Sequence, residues 1–309
     1  RKGDYNMTKL KTRKQKRTKI AQIVLLLILL FITILFAMPV LLIFISAFTD
    51  EKVLTVSGFT FFPSKLSLSG FNAVLRYGKQ LFVSYGITIL VTVSGTLIGL
   101  LVMAMYAHCL TIKDFPLRKF LVIWATIPML FSGGQLSTYV IYTSVYHLQD
   151  SLWLLILPLC VSTMNIIILR TYIQTSIPGD LMDSARIDGA GEYRTFFQIV
   201  LPLMKPSLAA VGFMMATTYW NDWQNALLFI KSDSKKPLQL LLINIQKSIE
   251  TLLSVRNIPS SALAAMQGSI PQYSATMATV VVVIGPIIVV YPFFQKYFIK
   301  GLTIGSVKG

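Results

Sequence analysis

Charge is scarce in this chain. Of its 309 residues only 13% are Asp, Glu, Lys or Arg, about half the share that a soluble domain carries. Hydrophobic residues make up 54%, and the mean hydropathy is +0.67. The apolar residues are gathered into long uncharged runs, which excludes an ordinary soluble globule. Cysteine is nearly absent: Cys109 and Cys160 stand alone, so no disulfide or metal framework can be argued from them. The two histidines, His108 and His147, stand apart, and no His-Glu-x-x-His or Gly-x-Ser-x-Gly constellation occurs, which disfavours a membrane-embedded hydrolase. There is no Gly-x-x-x-x-Gly-Lys-[Ser/Thr] either, so this chain does not bind ATP through a P-loop.

Six apolar runs remain: Ile20 to Phe48, Leu81 to Ala107, Phe120 to Tyr146, Leu152 to Leu169, Ser207 to Phe229, and Ala275 to Phe294. A bilayer crossing needs about 20 mostly apolar residues. The expectation is an all-α integral membrane protein with six transmembrane helices between residues 20 and 299. Asp222 is the only carboxylate inside any run, and no Lys or Arg lies within one. Carriers driven by protons or sodium use acidic or histidine relays at mid-depth. An ion-coupled secondary transporter is therefore the weaker transport alternative, and the energy must come from elsewhere.

The lysines and arginines set the orientation. With six spans both termini share one side, and nineteen of the 28 basic residues fall there. They comprise the tail from Arg1 to Lys19, then Lys113, Arg118 and Lys119, then Arg170, Arg186, Arg194 and Lys205, and finally Lys296, Lys300 and Lys308. The positive-inside rule makes that side the cytoplasm. The basic tail 1–19 then reads as a topology anchor on anionic lipid rather than a nucleic-acid arm. The first run is much longer than the roughly 7–15 residue core of a signal peptide. A short tail, 300–309, closes the chain on the same side.

The runs are not uniform. Gly95 and Gly99 have the small-xxx-small spacing that lets helices approach closely, and packing within the bundle is its simplest use. Pro128 and Gly133-Gly134-Gln135 interrupt the third run. Broken backbone at membrane depth is tolerated only where protein or a water-filled cavity covers it, so this span is expected to line something. The fourth run carries Pro158, Ser162, Thr163 and Asn165. The longest outside loop, 231–274, contains an amphipathic stretch from Leu238 to Ile249. Either it is a simple connector, or, as its length favours, it touches a partner or substrate.

The most informative stretch is polar. Between the fourth and fifth runs, residues 177–206 form a soluble-looking pair of short helices. Pro178 suits a first helical turn, Asp180 and Asp183 favour its positive end, and Gly189 and Gly191 can adopt the left-handed conformation that ends it. Met182, Ala185, Arg186 and Gly189 then share one face. A second helix from Glu192 to Val200 would group Tyr193, Phe196, Phe197 and Val200, with Pro202 and Pro206 separating it from the fifth span.

Asp183 to Pro202 resembles the EAA loop of ABC importer permeases: E-A-A, then D-G-A, an aromatic-rich helix, and I-x-L-P. Here these are Asp183-Ser184-Ala185, Asp188-Gly189-Ala190 and Ile199-Val200-Leu201-Pro202. Asp183 for Glu and Ser184 for Ala depart from the pattern but keep charge sign and small size. Trp220-Asn221-Asp222-Trp223 looks like the W-N-D-W segment of MalG-type sugar permeases. The end, from Tyr291-Pro292-Phe293-Phe294 to Gly309, is similar to the LplC-like branch.

The resemblance implies a type I ABC importer permease fold with residues 177–206 as the cytoplasmic coupling loop. Met182, Asp183, Ser184, Ala185, Asp188, Gly189 and Ala190 would dock on a cytoplasmic ATPase dimer, which binds the ATP and Mg; this chain itself would need no cofactor. A second homologous permease and an extracellular solute-binding lipoprotein would complete the assembly. The loop around Gln246 to Gln272 would reach into that protein's sugar cleft.

An oligo- or polysaccharide is the expected cargo, with a non-sugar solute as the alternative. Aromatic faces stack on sugars, and Asp or Asn side chains share hydroxyl hydrogen bonds, so Trp220, Asn221, Asp222 and Trp223 are candidate pathway residues. The competing reading is an interfacial aromatic belt with Asp222 reaching water. Gln135, Tyr139, Tyr142 and Asn165 are further candidates from the third and fourth spans.

Overall fold

A computed structural model describes residues 2–112, 114–254 and 271–304. Among them the secondary structure is helical, apart from one isolated antiparallel bridge, Thr49 with Leu66. The chain divides into two compact units, 1–74 with 249–281 and 75–248 with 282–309.

In the first unit, α1 spans Lys2–Ala47 and includes the first apolar run, whose side chains from Ile23 to Leu41 are mostly exposed, as lipid-facing residues would be. Two short helices follow, α2 (Glu51–Ser57) and α3 (Ser69–Leu75). Asp50 caps α2 by accepting the Lys52 N–H at 3.1 Å, and it pairs with Lys65 at 3.1 Å. That lysine contact is the main cause holding the Asp50 carboxyl below the usual carboxylate range.

The helix that ends the described chain, α15 in chain order, spans Tyr273–Ile304, and its first turn lies in this unit. Glu51 caps it. One carboxylate oxygen accepts Tyr273 N–H at 2.8 Å, and the other accepts Ser274 N–H at 2.9 Å and Ser274 Oγ–H at 2.7 Å. A buried carboxylate without a cation is tolerable there because a helix start supplies both unpaired N–H donors and a positive potential. Gly70 makes the approach possible, since a Cβ at that position would run into the Ser274 carbonyl.

The second unit is built on α4 (Gly78–Thr111), α8 (Thr163–Ser176) and α12 (Lys205–Trp220). Its core includes Met103, Ala104, Ala107, Leu169, Ile173, Val211 and Met215. Gly95 and Gly99 have the close-packing role expected of their spacing. A Cβ on Gly95 would enter the Tyr219 ring, and one on Gly99 would meet the Met215 methyl and lie 2.6 Å from the Cys160 carbonyl oxygen.

The third and fourth runs, which carry Pro128 and Pro158, are each broken into two helices. The third run splits into α5 (Arg118–Leu130) and α6 (Gly134–Val140, extended by a π turn Ile141–Val145), bent by 119°. The fourth splits into α7 (Trp153–Ile156, extended by a 3-10 turn Leu157–Leu159) and α8, bent by 53°. Pro158 sits in that 3-10 turn, at whose end Cys160 N–H bonds Leu157 O at 3.2 Å, and the Ile156 carbonyl accepts the Tyr219 hydroxyl at 2.7 Å. Among the described residues, three helices are long and apolar enough to cross a membrane alone: Ala21–Ala47, Gly78–Thr111 and Tyr273–Gln295. The count reaches six if each bent pair is one span.

The loop 231–274 does not begin as free chain. Its helix α14 (Leu238–Ser254) buries Leu238, Leu240, Leu241, Leu242 and Ile245, and Leu238 N–H donates to Thr88 Oγ1 at 2.8 Å. The amphipathic pattern predicted there thus packs inward. Of the stretch Gln246 to Gln272, residues 255–270 lie outside the described residues, as do 305–309 of the C-terminal tail.

Candidate functional site

Three short helices build the polar loop between the fourth and fifth runs. α9 (Gly179–Ile187) starts after Pro178, whose ψ of 132° places it at the cap rather than in the first turn. The helix ends where Gly189 takes φ +78°, with Gly189 N–H on Arg186 O at 3.0 Å and Ala190 N–H on Ala185 O at 2.9 Å. This paired closure satisfies carbonyls that a helix end leaves open and needs a residue free to adopt positive φ. Gly191 instead is extended and caps α10 (Glu192–Thr195).

A π turn, Phe196–Val200, continues α10 into α11 (Leu201–Leu203). Leu201 N–H reaches five residues back to Phe196 O. Pro202 was expected to break the chain here, yet it sits inside the helical run. The 77° bend falls at Met204, and Pro206 lies in the first turn of α12.

The expected aromatic face is also corrected. Thr195, Phe196 and Val200 are buried, whereas Tyr193 is 78% and Phe197 46% exposed. The buried line runs through Thr195–Phe196 to Val200 and Met204, which leaves Tyr193 and Phe197 off it. In α9, Ala185 is buried and Met182 half-buried, while Asp183, Ser184, Asp188 and Gly189 are exposed. Ser184 Oγ donates to Asp180 O at 2.8 Å, and Asp183 pairs with Arg186 at 3.5 Å. Ile187 is 86% exposed. Together with Tyr193 it gives a charged loop an apolar surface that no described residue covers.

His108 does not stand alone, as the sequence reading had it. It lies in the last turn of α4, is 4% exposed, and its Nε2 is 3.6 Å from Glu192 Oε2. Glu192 Oε1 accepts from Arg186 Nε at 3.2 Å and Nη2 at 3.1 Å.

The fifth span breaks within Trp220–Trp223. α12 stops at Trp220, and α13 (Gln224–Phe229) follows. Polar side chains turned onto the backbone cause the break. Asn221 Nδ2 donates to Thr217 O at 2.9 Å, while Asp222 accepts Asn225 N–H at 3.2 Å and Asn225 Nδ2–H at 2.9 Å. Trp220 is buried and donates its indole N–H to Val283 O at 3.1 Å. Asn221 and Trp223 are exposed, and Asn221 Oδ1 accepts from Gln239 at 3.0 Å.

Tyr139 stacks on Phe229 at 5.9 Å between ring centroids, and Tyr142 meets the same ring edge-on. Gln135 is exposed, Asn165 half-buried, and no described contact joins either to Trp220–Trp223. Beside Trp220, an apolar groove of about 730 Å³ runs along Tyr85, Thr96, Gly212, Pro286 and Phe294.

A helical membrane protein with broken spans and a capped helix pair before the fifth of them fits one class, that of transporter permeases. Residues 95–304 match the family described as binding-protein-dependent transport system inner membrane component, and the chain belongs to that family. It is 36% identical to Protein LplC of Bacillus subtilis (strain 168) over 88% of this chain and 89% of the relative. It is 33% identical to the polygalacturonan/rhamnogalacturonan transport system permease protein YtcP of the same organism, over 91% and 96%. Among solved structures, it is similar to a chain of a bacterial ABC transporter involved in the import of the acidic polysaccharide alginate. The TM-score is 0.72 at 27% identity, covering 88% of this chain and 94% of that one. The chain is thus a multi-pass permease of an ABC importer, with the type I fold.

Proposed function

We propose that this permease carries oligo- or polysaccharides as one of two homologous membrane subunits in a bacterial cytoplasmic membrane. An extracellular binding lipoprotein delivers the sugar, and a cytoplasmic ATPase dimer, which holds the ATP and Mg, is seated on Met182, Asp183, Ser184, Ala185, Asp188, Gly189 and Ala190. Both termini lie in the cytoplasm. The sugar-transport roles carried in the names of its relatives support the cargo class.

The observation that carries the ATPase docking is the exposed apolar surface of Ile187 and Tyr193 on a loop rigidly closed at Gly189. ATP-driven closure of the dimer then rocks the loop and switches the pathway between inward- and outward-facing states. Along that pathway, Asn221, Trp223 and Gln135 offer exposed polar or aromatic surface, and Tyr139 offers a ring edge. Asp222 and Asn165 serve the polar break and span 4, and Trp220 forms the wall.

The test replaces Ile187 with Asp, an exposed position without a folding role, and Gly189 with Val. Uptake and substrate-stimulated ATPase of the assembled complex should both fall in each variant. Normal values for both activities in the two variants sink the docking assignment. A glycan panel against the companion binding protein identifies the sugar.

A further inference from the structure

We propose that Glu192 and His108 form the link through which the coupling loop moves span 2, with Arg186 joining the loop's helices into one body. The inference rests on the proposed function and adds the route by which motion at the docking surface enters the membrane.

α9 and α10 contain nine and four residues. Isolated helices shorter than about 12–15 residues are marginal, so neither is rigid by itself. Glu192 solves this by using its two oxygens in different directions. Oε1 takes the Arg186 guanidinium from α9 at 3.1–3.2 Å, and Oε2 faces His108 of α4 at 3.6 Å. One carboxylate therefore touches both loop helices and the end of the span that packs on α8 and α12.

His108 is built to respond. Its ring is buried, lies 5.4 Å from the Phe196 ring, and neither ring nitrogen has a hydrogen-bond partner among the described residues. The charged groups facing it are Glu192 from α10 and, behind it, Arg186 from α9. A separation of 3.6 Å is too long for a hydrogen bond, and closing it by about half an ångström would complete one. A small shift of the loop therefore makes or breaks a bond to span 2 that a buried imidazole strongly favours making. Protonating the ring strengthens the made state, because the imidazolium then pairs with the carboxylate. His108 is a positioning residue: it touches neither cargo nor ATPase.

The experiment uses the assembled transporter in proteoliposomes and reads substrate taken up per ATP hydrolysed. Glu192→Gln and His108→Gln should each lower that ratio roughly fivefold or more, the lower range of allosteric coupling. The double variant should be no worse than the weaker single. The wild-type ratio should change as pH falls below about 6.5, since burial of the ring lowers its pKa from the ordinary histidine value, and His108→Gln should flatten that change. The ATPase should still co-purify with every variant. A ratio within about twofold of wild type for either single variant, or losses that multiply in the double, overturns the link.

Arg186→Gln probes the same chain from a side chain 42% exposed, where folding is not at stake, and should also lower the ratio. If a buried variant fails to assemble, an unchanged ratio in Arg186→Gln overturns the link by itself. Failure of any ATPase to seat on the wild-type chain is a different result and sinks the proposed function instead.

Discussion

The Tyr85 hydroxyl donates to the Val282 carbonyl at 2.7 Å, the group that Pro286, four residues later, leaves without its helical N–H. In hydrocarbon such a carbonyl has no water to turn to. Trp220 takes the next carbonyl, Val283, so span 2 and span 5 both hold the last span one turn before Pro286. Tyr85→Phe should destabilise the protein by about 1 kcal/mol, in the range of hydrogen bonds between membrane helices. Thermal unfolding in detergent measures this, and an unchanged midpoint would refute the role assigned to the hydroxyl.

Glycines along α4 should separate by what a Cβ meets. Gly99→Ala pushes against the Cys160 backbone, which cannot yield, and Gly95→Ala against a Tyr219 ring anchored on Ile156. Each should cost about 1–3 kcal/mol, the usual range for overpacking. Gly86 has nothing within 4 Å of a built Cβ, so Gly86→Ala should be neutral or stabilising by about 0.5–1 kcal/mol. Equal effects at all three sites would show that propensity rather than contact decides.

Glu51→Gln keeps the shape of the cap on α15 but sets an amide N–H₂ against backbone donors. The loss should be about 2 kcal/mol, since hydrogen bonds to a charged group are the stronger kind. A melting temperature equal to wild type would mean that the charge contributes nothing there.

Asp150 clamps two loops. Its carboxylate accepts Lys231 N–H at 2.9 Å and Ser232 N–H at 3.0 Å, and also takes Ser232 Oγ–H and Lys235 Nζ. The Ser232 hydroxyl first, and the two backbone N–H groups after it, hold this carboxyl well below the usual carboxylate range. With the folded value below the unfolded one, the clamp stabilises fully above about pH 4 and is lost as pH falls through the folded value. Wild type should therefore lose more stability than Asp150→Asn between about pH 5 and pH 3, with both flat near neutrality. Parallel acid curves would remove the clamp from the account.

Local chemistry made much of this architecture legible in the sequence. The uncharged runs marked the spans, the 95/99 spacing marked a close helix contact, and Gly189 marked the end of α9. Pairings distant along the chain were not legible. Pro286 announces an unpaired Val282 carbonyl, but nothing local says that Tyr85, 197 residues away, will meet it. Glu51 and Ser274 are 223 residues apart, and His108 read as solitary because its partner is on the far side of spans 3 and 4. The aromatic face failed for a subtler reason: Tyr193, Phe196, Phe197 and Val200 fit an α-helical stripe, and only packing against α4 selects which of them turn inward. The break in the fifth run was the least legible, because an apolar run hides Asn221–Asp222 behind its average hydropathy.

The π turn at Phe196–Val200 amounts to one surplus residue wound into an otherwise α-helical path. Each α-helical residue accounts for about 100° of rotation. Deleting any single position there would swing Arg186, Glu192 and the exposed face of α9 by that angle about the axis leading into the fifth span. A lone extra amino acid thus fixes the direction in which the α9–α10 loop presents itself.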